Sequence, residues 1–220
     1  CYDAWANEIK EVEVEQTKDE TAICIEVAPY QSVVIIFEQP NGAEAKKDVA
    51  YNQELDIKEG VKYKRTELEI KDGWCMSIAK PLEYPNFHDE QKIKEFENVG
   101  LKYPQFSGFI RYENEVETGE AKKAYLTIED AFEGVEVFIN EKSAGMQIAP
   151  PFIFNISNQL RIGTNKIRIE VATNLERERY FAPVEQDDFF GRIVKDRPPM
   201  FEPIGVTGKV RLLLDCQFSN

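Results

Sequence analysis

Histidine is almost missing from this chain: His88 is the sole one in 220 residues. Nucleophilic triads depend on a base that is usually an imidazole, and this one stands in Tyr84-Pro85-Asn86-Phe87-His88-Asp89, which reads as a solvated loop. The phosphate-cradling G-x-x-x-x-G-K-[ST] and G-x-G-x-x-G loops are absent, as is the G-x-S-x-G nucleophile elbow. No H-E-x-x-H or EF-hand pattern occurs. Long apolar runs are lacking too. The longest is Val33 to Phe37, far short of the ~20 residues that a membrane-spanning helix needs. No secretory signal pattern appears. Positive charge is scarce: 27 Lys+Arg stand against 40 Asp+Glu, for a formal net charge of −13. Such a chain is repelled by nucleic-acid backbones and anionic membranes, so neither is an expected partner. Cysteine is limited to Cys1, Cys24, Cys75 and Cys216, without C-x-x-C spacing, so no zinc site is expected. Cys24 and Cys75 lie in strand-like runs and are expected as buried thiols, although sequence alone leaves a disulfide open.

What the chain does have is period-two alternation. Val12 and Val14 alternate with glutamates, and Ile23, Ile25 and Val27 with Cys24 and Glu26. Ile110, Tyr112 and Val116 alternate with Arg111, Glu113 and Glu115; Val135, Val137 and Ile139 with Glu136 and Asn140; Ile167, Ile169 and Val171 with Arg168 and Glu170. Leu126 with Ile128, and Val210 with Leu212 and Leu214, follow the same rule. Each run puts apolar side chains on one strand face, which predicts an all-β, antiparallel β-sandwich. Turn signals separate the runs at Pro40-Asn41-Gly42, Asp72-Gly73, Asn140-Glu141-Lys142 and Ile162-Gly163-Thr164-Asn165. One helix is expected, capped by Asp89, with Ile93 and Phe96 inward and Gly100 at its end; a single turn there is the alternative. The break near 60–72 predicts two domains: a small β-sandwich unit, or the tail of one, over 1–66 and a larger sandwich over 67–220.

Carboxylates are plentiful, and glycoside hydrolysis needs only two at the right separation. Most occupy the solvent-facing positions of alternating strands. Glu129-Asp130 and Asp187-Asp188 are the loop exceptions. Asp130 is also a weak candidate for a structural Ca²⁺ ligand, the one cofactor that comes into question. Strand signal stops at Asn174 and resumes near Gly205, a long connection of the kind that is often functional. It carries Arg177, Arg179, Tyr180, Phe181, Asp187, Asp188, Phe189, Phe190, Arg192 and Arg197. Aromatic faces mixed with carboxylates and guanidinium groups suit sugar rings and hydroxyls, and they equally suit a protein interface. The third reading is a loop whose rings fold back over its own sandwich.

From Gly73 onward the motifs come in an order that resembles the galactose-binding-like jelly roll of glycoside hydrolases, as in the sugar-binding domain of family 2. They are Gly73-Trp74 with Met76-Ser77-Ile78, Phe106-Ser107-Gly108 with Arg111-Tyr112-Glu113, and Leu126-Thr127-Ile128-Glu129-Asp130 with Val135 to Asn140. Pro150-Pro151-Phe152 with Phe154-Asn155-Ile156-Ser157, Leu160 to Asn174, and Ile204-Gly205-Val206-Thr207-Gly208-Lys209-Val210 complete the series. Asn155 and Lys209 depart from the Asp and Pro usual in that pattern. The opening Asp3-Ala4-Trp5-Ala6-Asn7-Glu8-Ile9 resembles the segment after the catalytic barrel in α-L-rhamnosidase-type enzymes of family 106.

The resemblance implies a jelly roll preceded by a smaller sandwich, cut from a longer protein whose catalytic carboxylates lie elsewhere. That also accounts for a chain opening on Cys1 rather than Met; a lipid-modified N-terminal cysteine is the alternative. The expected function is a non-catalytic accessory domain whose partner is the catalytic domain of the same parent chain, with carbohydrate as a further ligand. An autonomous carbohydrate-binding module and a stand-alone glycosidase are the alternatives. No catalytic residue is assigned. Arg177, Tyr180, Phe181, Asp187, Asp188, Phe189, Phe190 and Arg192 are the candidate sugar or interdomain contacts.

Overall fold

A computed structural model describes residues 1–3, 8–9, 11–12, 14–16, 20–25, 32–37, 63–182 and 201–217. The chain divides into two units, Cys1–Lys62 and Tyr63–Asn220. In the first lie β1 (Tyr2–Asp3), β2 (Glu8–Ile9), β3 (Val14–Gln16), β4 (Thr21–Ile23) and β5 (Val33–Val34). Strand β1 pairs antiparallel with both β2 and β5, and β3 with β4. Cys24 is exposed rather than buried. The alternation itself explains this: Cys24 points away from the face that half-buries Ile23 and Ile25.

The second unit runs β6 (Tyr63–Glu69), β7 (Cys75–Ala79), β8 (His88–Lys92), α1 (Val99–Lys102), β9 (Phe109–Thr118), β10 (Lys123–Ile128), β11 (Ala131–Phe132), β12 (Gly134–Ile139), β13 (Lys142–Gln147), β14 (Phe152–Asn155), β15 (Gly163–Ala172), α2 (Glu176–Phe181), β16 (Gly205–Val206) and β17 (Val210–Gln217). Two antiparallel sheets form the sandwich, a four-stranded one in the order β14-β10-β17-β6 and a six-stranded one in the order β13-β12-β15-β9-β7-β8. Strand β6 spans the 66/67 position and pairs along its length with β17, so the second unit begins before Asp72-Gly73.

Register explains the core. In the larger sheet Val137, Ile169, Tyr112 and Met76 lie side by side across four strands, and Val135, Val171, Ile110 and Ile78 form the next row. In the smaller sheet Phe154, Leu126 and Leu212 align, as do Phe152, Ile128 and Val210. All of these are buried in one cluster. Fully burying each such side chain contributes about 1.5–3 kcal/mol, so the period-two pattern is itself the main stabilising feature. The β12–β13 hairpin turns on Asn140 and Glu141, whose φ angles of 51° and 65° give the paired left-handed conformation of tight hairpins. A bulge follows, because Val137 faces Gly145 while Phe138 faces Ser143. Gly145 meets it with φ of 115°.

The helix expected from Asp89 to Gly100 is different in form. Residues 88–92 are the edge strand β8, and the helical segment is the single turn α1. The Asn98 side chain, not Asp89, caps it: Oδ1 accepts from Gly100 N at 2.9 Å. Edge pairing of β8 with β7 overrides the weak 3.6-residue pattern of Ile93 and Phe96, which instead pack their side chains onto the core.

Candidate functional site

The connection between β15 and β16 begins with a short helix that alternation could not reveal. Helix α2 starts after Asn174, whose Oδ1 accepts from Glu176 N at 2.9 Å. Glu176 and Glu178 occupy its first turn and Arg179 its last, the arrangement that the helix dipole favours. Ser107 Oγ accepts from Glu178 N at 3.2 Å and so ties the helix to the end of the sandwich.

Arg177 is the buried residue of α2, only 6% exposed. Its Nη2 donates to Glu202 O at 2.8 Å and its Nη1 to Pro104 O at 3.4 Å. The guanidinium also lies over the Phe201 ring, 4.6 Å from the centroid. It fills the space above Gly100, where a Cβ would come within 2.6 Å of it. Burial works against its charge and lowers its pKa, with Glu176 acting in the opposite direction. The described contacts of Arg177 thus serve backbone carbonyls and one ring.

Around that arginine, three rings meet. Tyr180 stands edge-on to Phe181 at 5.1 Å and to Phe201 at 5.3 Å, with Phe181 and Phe201 6.0 Å apart. Phe181 is 41% exposed. Beside the helix start, burial and the nearby Glu176 charge raise the Glu133 pKa, while the Asn174 amide donates to the Glu133 carboxylate. The arrangement offers one exposed aromatic face, that of Phe181, backed by the half-buried Tyr180 and Phe201. That is the chemistry of a surface that stacks on a sugar face or a partner chain.

Of the residues singled out from sequence, the structure brings Arg177, Tyr180 and Phe181 together. Arg179 is in the same helix but makes no described side-chain contact there. Asp187, Asp188, Phe189, Phe190, Arg192 and Arg197 lie outside the described residues. The sequence reading missed Phe201, which sits a full connection away with no pattern to mark it. Asp130 accepts from the Thr207 hydroxyl at 3.1 Å, and neighbouring Glu129 accepts from Lys209 N and Arg211. These contacts tie the β10 end to the β17 start. Among the described residues no three His, Cys, Asp or Glu side chains converge as a metal site.

A second polar cluster went unpredicted because its members are scattered in sequence. On the outer face of the larger sheet, Glu170 is 5% exposed and accepts from Arg111 Nε at 2.9 Å and from the Tyr84 hydroxyl at 3.1 Å. Arg111 stacks on Phe87, 3.7 Å from the centroid, and Arg168 on Phe138 at 4.0 Å. Arg168 Nε approaches Glu170 at 3.4 Å, yet that nitrogen makes no well-aligned hydrogen bond. Proximity there is electrostatic only.

The fold is therefore an antiparallel β-sandwich with an aromatic surface at one end. No protein-family model matches the chain, and no curated protein matches it. Solved structures do. A rhamnosidase from Novosphingobium sp. PP1Y aligns over 92% of this chain and 19% of its own, at 14% identity and a TM-score of 0.57. A β-glucuronidase from Faecalibacterium prausnitzii aligns over 68% of this chain and 31% of its own, at 13% identity and a TM-score of 0.48. A family 2 β-galacturonidase from Eisenbergiella tayi aligns over 70% and 25%, at 13% identity and a TM-score of 0.46. This chain spans less than a third of each of those proteins. At 14% identity the likeness to the rhamnosidase is one of fold.

Proposed function

We propose that this chain is a non-catalytic accessory portion of a larger glycoside hydrolase, which packs against the catalytic domain through the α2–Phe201 surface. One observation carries the reading: nearly the whole chain, 92%, aligns with only 19% of a rhamnosidase. That proportion supports an accessory portion over a stand-alone glycosidase. The ordered jelly-roll motifs from Gly73 to Val210 support the same reading. A second reading, an autonomous carbohydrate-binding module, is favoured by Phe181, whose ring is open to solvent beside Tyr180.

The test has three arms. The purified chain is assayed on aryl rhamnosides, glucuronides and galacturonides, and no turnover is expected. Turnover that disappears in Asp187→Asn or Asp188→Asn would overturn the proposal. Calorimetric titration with the corresponding free sugars decides between the readings: saturable heat lost in Phe181→Ala supports the module, and no heat supports the accessory role. Sequencing of the encoding gene is the direct check, since the accessory role requires a catalytic domain in the same reading frame.

A further inference from the structure

Residues 80–88 form a strap across the outer face of the six-stranded sheet. Its turn is closed by backbone hydrogen bonds from Glu83 N and Tyr84 N to Lys80 O, at 2.9 and 3.2 Å, and from Asn86 N to Glu83 O at 2.8 Å. Two side chains of the strap cover the sheet. The Tyr84 ring lies 4.4 Å from that of Phe109 and its hydroxyl donates to Glu170 at 3.1 Å. Phe87 caps the Arg111 guanidinium at 3.7 Å. The strap therefore screens the Arg111–Glu170 pair from water.

The strap ends at the chain's one histidine. His88 Nε2 lies 3.0 Å from Glu83 Oε2, which also accepts from Lys80 N at 3.0 Å. On the other side of the ring, Nδ1 lies 3.3 Å from Asp89 Oδ2. A neutral imidazole carries a single N–H; only the imidazolium donates from both nitrogens. Two carboxylates on opposite edges therefore select the cation. From the strap, Glu83 faces His88 directly and Lys80 acts on Glu83. From β8, Asp89 faces it. Across the strand pair, Ile78 is its partner on β7 and has no titratable group. Strand β8 is the sheet edge, and among the described residues no further strand lies beside it.

We propose that residues 80–88 are a pH-operated cover over the Arg111–Glu170 ion pair, latched by the His88 imidazolium between Glu83 and Asp89 and loosened when that proton leaves. The direction of both titrations fits. The Glu83 hydrogen bond, seconded by Asp89, raises His88 above its ordinary 6.5. A group raised on folding stabilises below its unfolded value, and the contribution is lost as pH rises through the folded one. The Lys80 amide first, then His88, hold Glu83 below its ordinary 4.5. That contribution is lost as pH falls through the lowered value. The latch thus closes over a window bounded by Glu83 on the acid side and His88 on the basic side. Loosening bares a stacked guanidinium and a carboxylate on a sheet face otherwise shielded.

A single histidine makes the test direct. The His88 imidazole resonances of the intact chain are followed by NMR from acid to alkaline pH, together with the Tyr84 and Phe87 ring signals and exchange of the Glu83, Tyr84 and Asn86 amides. The expected result is one His88 midpoint above 6.5, with ring signals and amide protection stepping at the same midpoint, beyond the smooth base-catalysed rise in exchange. Glu83→Gln returns the midpoint toward 6.5 and removes the step. His88→Lys, cationic throughout the range, holds the strap closed and also removes it. A midpoint at or below the ordinary value, or strap signals indifferent to His88, overturns the proposal. The wild-type titration alone decides it, so misfolding of a variant does not blur the outcome.

Discussion

Arg65 grips Asp215 with a fork: Nε donates to Oδ1 at 2.8 Å and Nη2 to Oδ2 at 3.0 Å. The two residues face each other across the β6–β17 ladder. This pair fastens the first strand of the sandwich to its last. Asp215 is 1% exposed, whereas the arginine side chain is about half exposed. Solvent therefore reaches one end of the bridge, and the interaction is weaker than a fully buried ion pair.

Removing the arginine leaves a buried carboxylate without its charged donor. Arg65→Met is expected to destabilise the second unit by about 1–3 kcal/mol, read from urea unfolding. Asp215→Asn is expected to cost less, because the exposed guanidinium recovers water. Equal effects from the two substitutions would contradict this account of the asymmetry.

Asn165, the last residue of the turn signal at 162–165, bonds back into that turn with its side chain and is 0% exposed. Its Nδ2 reaches Thr118 Oγ1 at 2.9 Å, Arg161 O at 2.7 Å and Gly163 O at 3.0 Å. Its Oδ1 accepts from Asn140 Nδ2 at 2.8 Å and Arg161 N at 3.0 Å. An aspartate of the same shape would turn two donors into an acceptor facing carbonyl oxygens. Asn165→Asp is therefore expected to cost about 3 kcal/mol or more, seen as a large drop in Tm. Asn165→Ala is expected to cost less than Asp, since a void is less unfavourable there than a buried anion.

The sandwich was legible because burial on one sheet face imposes a period of two, and Val135, Val137, Ile167 and Ile169 carry it without exception. Hairpin residues Asn140-Glu141 were legible because left-handed backbone selects few residue types. The helix at 89–100 was misread because Ile93 and Phe96 satisfy a helical spacing by chance, while edge pairing of β8 is a non-local effect. The candidate site was half legible. Composition picked out Tyr180 and Phe181, but nothing local couples Arg177 to Phe201, or Tyr84 to Glu170, 86 positions away. Such contacts exist only once distant strands are in register.

Glu133 supplies a test by pH. Burial, then the charge of Glu176, raises its pKa above the ordinary 4.5. A carboxylate raised on folding favours the fold fully below its unfolded value, and the contribution is lost as pH climbs through the folded value. At neutral pH the ionised Glu133 is thus a small liability. Glu133→Gln retains a carbonyl to accept from Asn174 and removes the charge. We expect a modestly higher Tm at neutral pH, with the difference vanishing under strongly acidic conditions. An advantage independent of pH would assign the effect to packing instead.

Arg177 links the sandwich end to the aromatic surface, and its loss separates the two. Truncation to Ala would strip Glu202 O and Pro104 O of their donor and open the space above Gly100. The expected cost is about 1–3 kcal/mol. Global unfolding alone would not reveal what the arginine does for the surface, so a second readout is needed. The Phe201 ring is stacked by the guanidinium, meets Tyr180 edge-on and lies tilted against Phe181. Near-ultraviolet dichroism of the Tyr180–Phe181–Phe201 group should therefore flatten in Arg177→Ala under conditions where far-ultraviolet signal and the cooperative transition survive. Arg177→Lys keeps charge but loses the planar fork and the ring stack, so it should flatten the signal nearly as much. Should Lys restore the aromatic signal in full, the positive charge rather than the stacked guanidinium holds the rings, and the assigned role of Arg177 is wrong.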